Sequence, residues 1–180
     1  MSFAQVAAPK RYDPVARLLH WLVVLLVYTQ FAIGWIMPDV HRDTQPVGLI
    51  AWHLWVGSLL LIAMLVRVVW RFTHRPPPAP KSVPPAMRVI STATHHLLYL
   101  ALVITPVLGW INASVRDWPV SLFNVIPLPA LAAPGNKLLH SIGELHITMT
   151  WVLLALVVLH VGAAIFHRIV LKDQVLGRMI

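Results

Sequence analysis

The sequence predicts an all-α membrane protein: a four-transmembrane-helix bundle with both termini cytoplasmic. Three observations carry that expectation. Of 180 residues, 58% are hydrophobic and only 11% charged, a balance wrong for a soluble domain and right for a membrane one. Four apolar runs are each long enough to cross a hydrocarbon core of roughly 30 Å. Eleven of the 14 Lys and Arg residues fall on one side of those runs.

Residues 1–14 read as a cytoplasmic N-terminal tail ending at Pro14, a natural first-turn residue for the helix that follows. No signal-peptide pattern precedes the first basic residues, and the first apolar run is too long to be one. The four-helix domain spans residues 15–170. Its first helix is expected from Val15 to Met37, with Arg17, His20 and Trp21 at its start and Trp35 at its far end, where aromatics fit the interfacial belts. Pro38-Asp39 stops it, and a polar loop with His41, Arg42 and Asp43 leads to Pro46. The second helix is expected from Val47 to Trp70, carrying His53 early and Arg67 late. Basic, proline-rich RFTHRPPPAPKSVPP then favours an extended loop. The third helix is expected from Val89 to Ala113, with His95 and His96 early and Pro106 positioned to kink it. In the long loop from Ser114 to Gly143, the apolar segment Val120–Ile126 is expected to lie flat on the membrane surface. The last helix occupies the stretch Gly143–His167, and residues 171–180 form a cytoplasmic C-terminal tail.

Lys10, Arg11, Arg17, Arg67, Arg71, Arg75, Lys81, Arg88, Arg168, Lys172 and Arg178 share one side; Arg42, Arg116 and Lys137 face the other. That bias orients the bundle and makes lipid headgroups, not nucleic acid, the partner of the net charge of +8. The chain has no cysteine, which excludes disulfides, iron–sulfur clusters, thiolate-ligated haem and haem attached through Cys-x-x-Cys-His.

Chemistry concentrates in histidine. His146 and His160 are 14 residues apart on one apolar helix; at 100° per residue they lie about 40° from alignment and roughly 21 Å apart along the axis. A histidine in hydrocarbon is costly and faces the bundle interior with a partner. Helix direction supplies the partners: His20 shares the inner level with His160, and His53 shares the outer level with His146. A single such histidine serves as readily as a hydrogen-bonding packing residue. Four that pair by depth form two bis-histidine sites suited to the axial positions of haem iron, one above the other in a bundle core. Gly57, at i+4 from His53, and Gly34, on the face of His20, are expected to clear room for the outer ring. Met64 and Met149 are read as core packing, and His41, His74 and His140 as loop histidines.

His95, His167 and Arg67 form a second inner group, offering a polar site for a quinone headgroup or for propionates. Interfacial snorkelling of long cations and imidazoles is the alternative, and the better reading for His96 and Arg71.

Four motifs carry a family resemblance. R-x-L-H-W occurs at Arg17–Trp21 and W-H-x-x-x-G at Trp52–Gly57, with Arg67 following. H-x-L-x-Y-L-x-L-x-x-x-P-x-x-G occurs at His95–Gly109, and the H-x13-H helix ends in H-R-x-x-L-K-D. From Arg11 to Arg178 the chain resembles the bacterial cytochrome b561 family. The resemblance implies an inner-membrane protein with two b-type haems, ligated by His20, His53, His146 and His160, and ubiquinone as redox partner. Oxidation of superoxide is an activity associated with that family. Three functions compete on the sequence: a cytochrome carrying electrons from an outer donor to ubiquinone, a cytochrome subunit anchoring a separate dehydrogenase or hydrogenase, and a histidine-lined transporter or metal channel. For an outer anionic donor, Arg116 and Lys137 beside the long loop are the expected steering cations.

Overall fold

The computed structural model describes residues 11–78, 83–122, 125–137 and 141–180. Most of the expected N-terminal tail, Lys81 and His140 lie outside the described residues. Four helices form the bundle: α1 (Pro14–Ile36), α2 (Leu49–Thr73), α3 (Pro85–Val115) and α4 (Ile142–Ile169). All four are long and apolar enough to span a membrane. They pack as successive antiparallel neighbours, α1 on α2, α2 on α3 and α3 on α4.

Local chemistry sets the ends. Pro14 occupies the first turn of α1, where its missing N–H costs nothing, and the Asp13 carboxylate accepts the Ala16 N–H at 2.8 Å. Helix α2 begins after Gly48, whose φ of 57° and ψ of −129° are open to glycine and strained for other residues. Helix α3 starts four residues before the expected Val89, because Pro85 is tolerated in a first turn. It also runs through Pro106 as one helix. At the end of α4, Lys172 adopts a left-handed conformation (φ 51°), which reverses the chain and brings the Asp173 N–H to the His167 carbonyl at 3.2 Å.

A core of Val23, Leu26 and Val27 (α1), Val56, Leu60, Ala63 and Met64 (α2), Leu98, Ala101 and Leu102 (α3) and Leu153 (α4) fills the middle of the bundle. Met64 is the most completely buried large side chain among the described residues, at 1% exposure. Met149 is half-buried. Elsewhere the helices turn apolar surface outward: Leu18, Leu25, Tyr28, Val69 and Val158 are all exposed. Lipid, not water, is the solvent such surfaces suit, so packing rather than hydrophobic expulsion holds the helices together. Leu153 is the one buried residue of α4. That helix leans on α3 and reaches the other two with side chains.

Two segments add structure beyond the four helices. Within the apolar loop segment, β1 (Ser121–Leu122) pairs with β2 (Ile126–Pro127) as a small antiparallel hairpin. The loop is pulled onto the end of α3 by polar groups there: Trp110 Nε1 donates to the Pro129 carbonyl, and Ser114 Oγ accepts the Leu131 N–H. The C-terminal segment, in turn, folds back under the bundle as a cap ending in a 3₁₀ turn at Leu176–Arg178. Arg17 donates to the Ile180 carbonyl (2.8 Å) and Trp21 to that of Met179 (3.0 Å). The Tyr12 N–H bonds the Arg178 carbonyl at 3.1 Å. The Arg178 guanidinium lies buried between the Pro78 carbonyl (2.8 Å) and the Tyr12 ring.

Asp13 also accepts from the Trp70 indole, tying α1 to α2. Burial alone would raise its pKa. The hydrogen bonds from Ala16 and Trp70, the charge of His74 and the Val15 amide together outweigh burial and hold it below the ordinary 3.8. A carboxylate with a lowered folded-state pKa stabilises above its unfolded pKa, and that contribution is lost as pH falls through the folded value. Asp13→Ala is therefore expected to cost ~1 kcal/mol at neutral pH, the worth of a helix N-cap. The difference in melting midpoint between wild type and variant, measured in detergent, should vanish below the lowered pKa; a difference that persists there would contradict the charged cap.

Candidate functional site

The folded bundle brings His20, His53, His146 and His160 together in two pairs, one toward each end of the apolar core. His53 and His146 face each other from α2 and α4, with ring centres 6.2 Å apart and planes at 86°. His20 and His160 do the same from α1 and α4, at 6.4 Å and 77°. A metal ion joined to one nitrogen of each ring, at about 2 Å per bond and with about 1.1 Å from nitrogen to ring centre, sets two such centres roughly 6.2 Å apart. Both pairs fit a bis-imidazole iron site by that test. Direct packing of two rings has no need of this spacing at two depths.

The surroundings of His146 fix its tautomer. Its Nδ1 lies 2.9 Å from the Thr105 carbonyl oxygen. A carbonyl only accepts, so the proton resides on Nδ1 and Nε2 carries the lone pair, the arrangement a ligating imidazole needs. His53 Nδ1 is buried and has no hydrogen-bond partner among the described residues, a polar group at odds with apolar surroundings unless its ring serves some other bond.

Two glycines lie beside the outer pair. A Cβ at Gly57 would meet Gln30 Nε2 at 2.8 Å, so Gly57 makes room for Gln30, which donates to the His53 carbonyl at 3.1 Å. Gly34 lies against the edge of the His53 imidazole, 3.8 Å from where its Cβ would stand. Both glycines thus serve the histidine and its backbone directly. The sequence pattern could not show this, because Gln30 carries no motif and its partner is a main-chain oxygen on another helix.

Of the second inner group, His95 packs edge-on against His160 with ring centres 5.2 Å apart. Its Nδ1 donates to the Ser91 carbonyl at 2.6 Å, leaving Nε2 as its acceptor nitrogen, and the residue is exposed. Arg67 bonds the Ala16 carbonyl at 3.2 Å and stands over the Tyr99 ring. Beside it Asp13, Trp70, Tyr99 and Met179 line a cavity of about 30 Å³, room for roughly one water. His167 Nδ1 pairs with Asp173 at 2.5 Å, so Nε2 remains for a ligand. His96 bonds the Thr92 carbonyl and is exposed, as interfacial histidines are.

Replacing Gly57 by Ala is expected to displace the Gln30 amide from the His53 carbonyl and to destabilise the bundle by ~1 kcal/mol, the net worth of one hydrogen bond. Thermal melting of Gly57→Ala against Gln30→Ala and the double variant checks it: the double variant should melt no lower than the worse single one. Additive losses would show that the two residues act separately.

The prokaryotic cytochrome b561 family model matches residues 11–180. Cytochrome b561 homolog 2 of Escherichia coli K12 is 31% identical over 181 residues, covering 100% of this chain and 95% of the relative. The probable superoxide oxidase CybB of Yersinia pestis is 26% identical, covering 94% and 96% respectively. Cytochrome b562 of Cereibacter sphaeroides is 28% identical over 89% of each chain. With four membrane-spanning helices and paired intramembrane histidines, the chain belongs to the prokaryotic cytochrome b561 family, as a multi-pass b-type haem protein of the bacterial inner membrane.

Proposed function

We propose that the protein holds two b haems, one between His53 and His146 and one between His20 and His160, and passes electrons between an outer donor and ubiquinone. One observation carries this reading: two imidazole pairs, each at the separation a shared iron requires, at opposite ends of one apolar core. Haem iron bound there supplies one-electron redox chemistry. The residues do the rest. Four imidazoles from three helices fix two positions, and the packed layer around Leu26, Leu60, Met64 and Leu102 keeps water from the space between them.

Superoxide is the proposed donor, because one relative bears the name probable superoxide oxidase. The electrons balance with ubiquinone as acceptor: two superoxide anions release two electrons and become dioxygen, and ubiquinone takes two electrons and two protons to become ubiquinol. Superoxide is a small anion that crosses lipid poorly, so its capture belongs on the outer side, next to His53 and His146. Ubiquinone is proposed to approach the inner pair from the bilayer, where His95 is exposed and abuts His160. Arg67 supplies a fixed positive charge nearby. His167, engaged by Asp173, is assigned a supporting place at this end.

His53→Ala and His146→Ala are each expected to remove the same one of two haems, and His20→Ala and His160→Ala the other. Haem per polypeptide and a redox titration of each variant check the pairing; His20 and His146 behaving as one pair would overturn it. The steering cations can be tested separately. Arg116 is partly committed, with Nη1 on the His41 carbonyl and its guanidinium over Trp118, while Lys137 is exposed. Haem reduction by superoxide in Arg116→Gln/Lys137→Gln is expected to be slower than in wild type at low ionic strength and equal to it at high ionic strength. Wild-type haem that superoxide never reduces would remove superoxide as the donor.

A further inference from the structure

The P-x-x-G ending of the α3 motif, Pro106 to Gly109, has no role in the reading so far, yet it touches the outer histidine pair. In a helix every Cα–Cβ bond tilts toward the N-terminus, so the side chain at i+4 covers the carbonyl at i. The residue placed to cover the Thr105 carbonyl is Gly109. A Cβ there would stand 3.0 Å from His146 Cε1 and 3.2 Å from Nδ1, tight enough that the ring must give way by a few tenths of an ångström. Because position 109 has no side chain, the imidazole of His146 reaches past it to bond the Thr105 carbonyl at 2.9 Å. A carbonyl oxygen has two lone pairs, so it accepts from the ring and from its own helix together.

Among the described residues no ring-to-carbonyl bond of this kind is made by the other three proposed ligands, His20, His53 and His160. Among the described residues His53 Nδ1 is buried without a partner, and His160 is flanked by the edge of His95. Donating Nδ1–H to a carbonyl makes an imidazole a more basic ligand, and a more basic axial ligand favours the ferric state. The opposite influence acts at the inner pair, where the Arg67 guanidinium bonds the Ala16 carbonyl, one turn before His20 on α1. A neighbouring positive charge favours the ferrous state, which carries one positive charge fewer.

We propose that Gly109 is a positioning residue for His146: by uncovering the Thr105 carbonyl it lowers the potential of the outer haem and directs electrons toward the inner one. The inference rests on the proposal that His146 is an axial ligand, and the two can fail separately. Potentiometric titration, with the optical and electron paramagnetic resonance signals of each haem, is the readout. In Gly109→Ala the added methyl pushes the ring off the carbonyl, so the midpoint of one haem should rise while the other holds and both haems remain. Gly162→Ala, on α4 two residues after His160 where an added Cβ meets nothing within 4 Å, should leave both midpoints unmoved. A second variant avoids steric change at 109: an α-hydroxy acid in place of Pro106 turns the Thr105–Pro106 amide into an ester. That substitution weakens the Thr105 oxygen as an acceptor and removes no N–H, since proline has none. It should raise the same midpoint, and it decides the matter if Gly109→Ala fails to assemble. Unshifted midpoints in the assembled variants would overturn the role of Gly109 while leaving His146 a ligand. Two haems retained in His146→Ala would overturn the ligand assignment itself.

Discussion

An imidazole placed in hydrocarbon has two ring nitrogens and no water to serve either of them. Much in this bundle follows from that constraint. His146 satisfies it most visibly, with Nδ1 on the Thr105 carbonyl and its ring turned to His53 across 6.2 Å. The pairing also accounts for the odd position of α4. That helix has one buried residue, Leu153, and leans on α3, yet His146 reaches α2 and His160 reaches α1. A helix so lightly packed in lipid gains little from burial alone. Shared groups between facing imidazoles would give it a reason to stay, and the proposed haems are such groups.

The two ends of the bundle are built unlike each other. At the outer end the polar partners are main-chain oxygens, Thr105 for His146 and the His53 carbonyl for Gln30, and glycines at 109 and 57 open the way to them. Such contacts are rigid and electrically neutral. At the inner end the partners are charged or titratable: Arg67, His95 and the capped C-terminal segment. Both kinds of surroundings act on a bound redox group, and they act in opposite senses, since a carbonyl acceptor favours the oxidised ion and a nearby cation the reduced one. An inward preference for electrons is therefore built from the helices themselves under the proposed ligand assignment.

The inner end is also closed mechanically. Arg178 is buried against the Pro78 carbonyl and the Tyr12 ring, and Arg17 and Trp21 hold the carbonyls of the last two residues. Backbone groups that would otherwise lie unpaired at the membrane boundary are satisfied in this way. The cap leaves a small cavity beside Arg67.

The four helices, their order and the family were legible in the sequence, because long apolar runs, proline stops and the imbalance of Lys and Arg are local or compositional signals that no tertiary contact can reverse. Depth pairing of His20 with His160 and His53 with His146 was legible too, since helix rise and alternating direction suffice to place residues at a level. Other features had no local signal. The hairpin of β1 and β2 is one, since its loop is held by Trp110 and Ser114 on another element. The partner of His167, Asp173, is delivered by reversal of the chain at Lys172. Gly57 and Gly109 could be read as small residues, but what each makes room for lies on a neighbouring helix: the Gln30 amide in one case, the His146 ring in the other. Sequence determined which residues stand at which depth. Tertiary structure alone decided which way each ring turns, because that depends on main-chain oxygens, and these have no letter in the sequence.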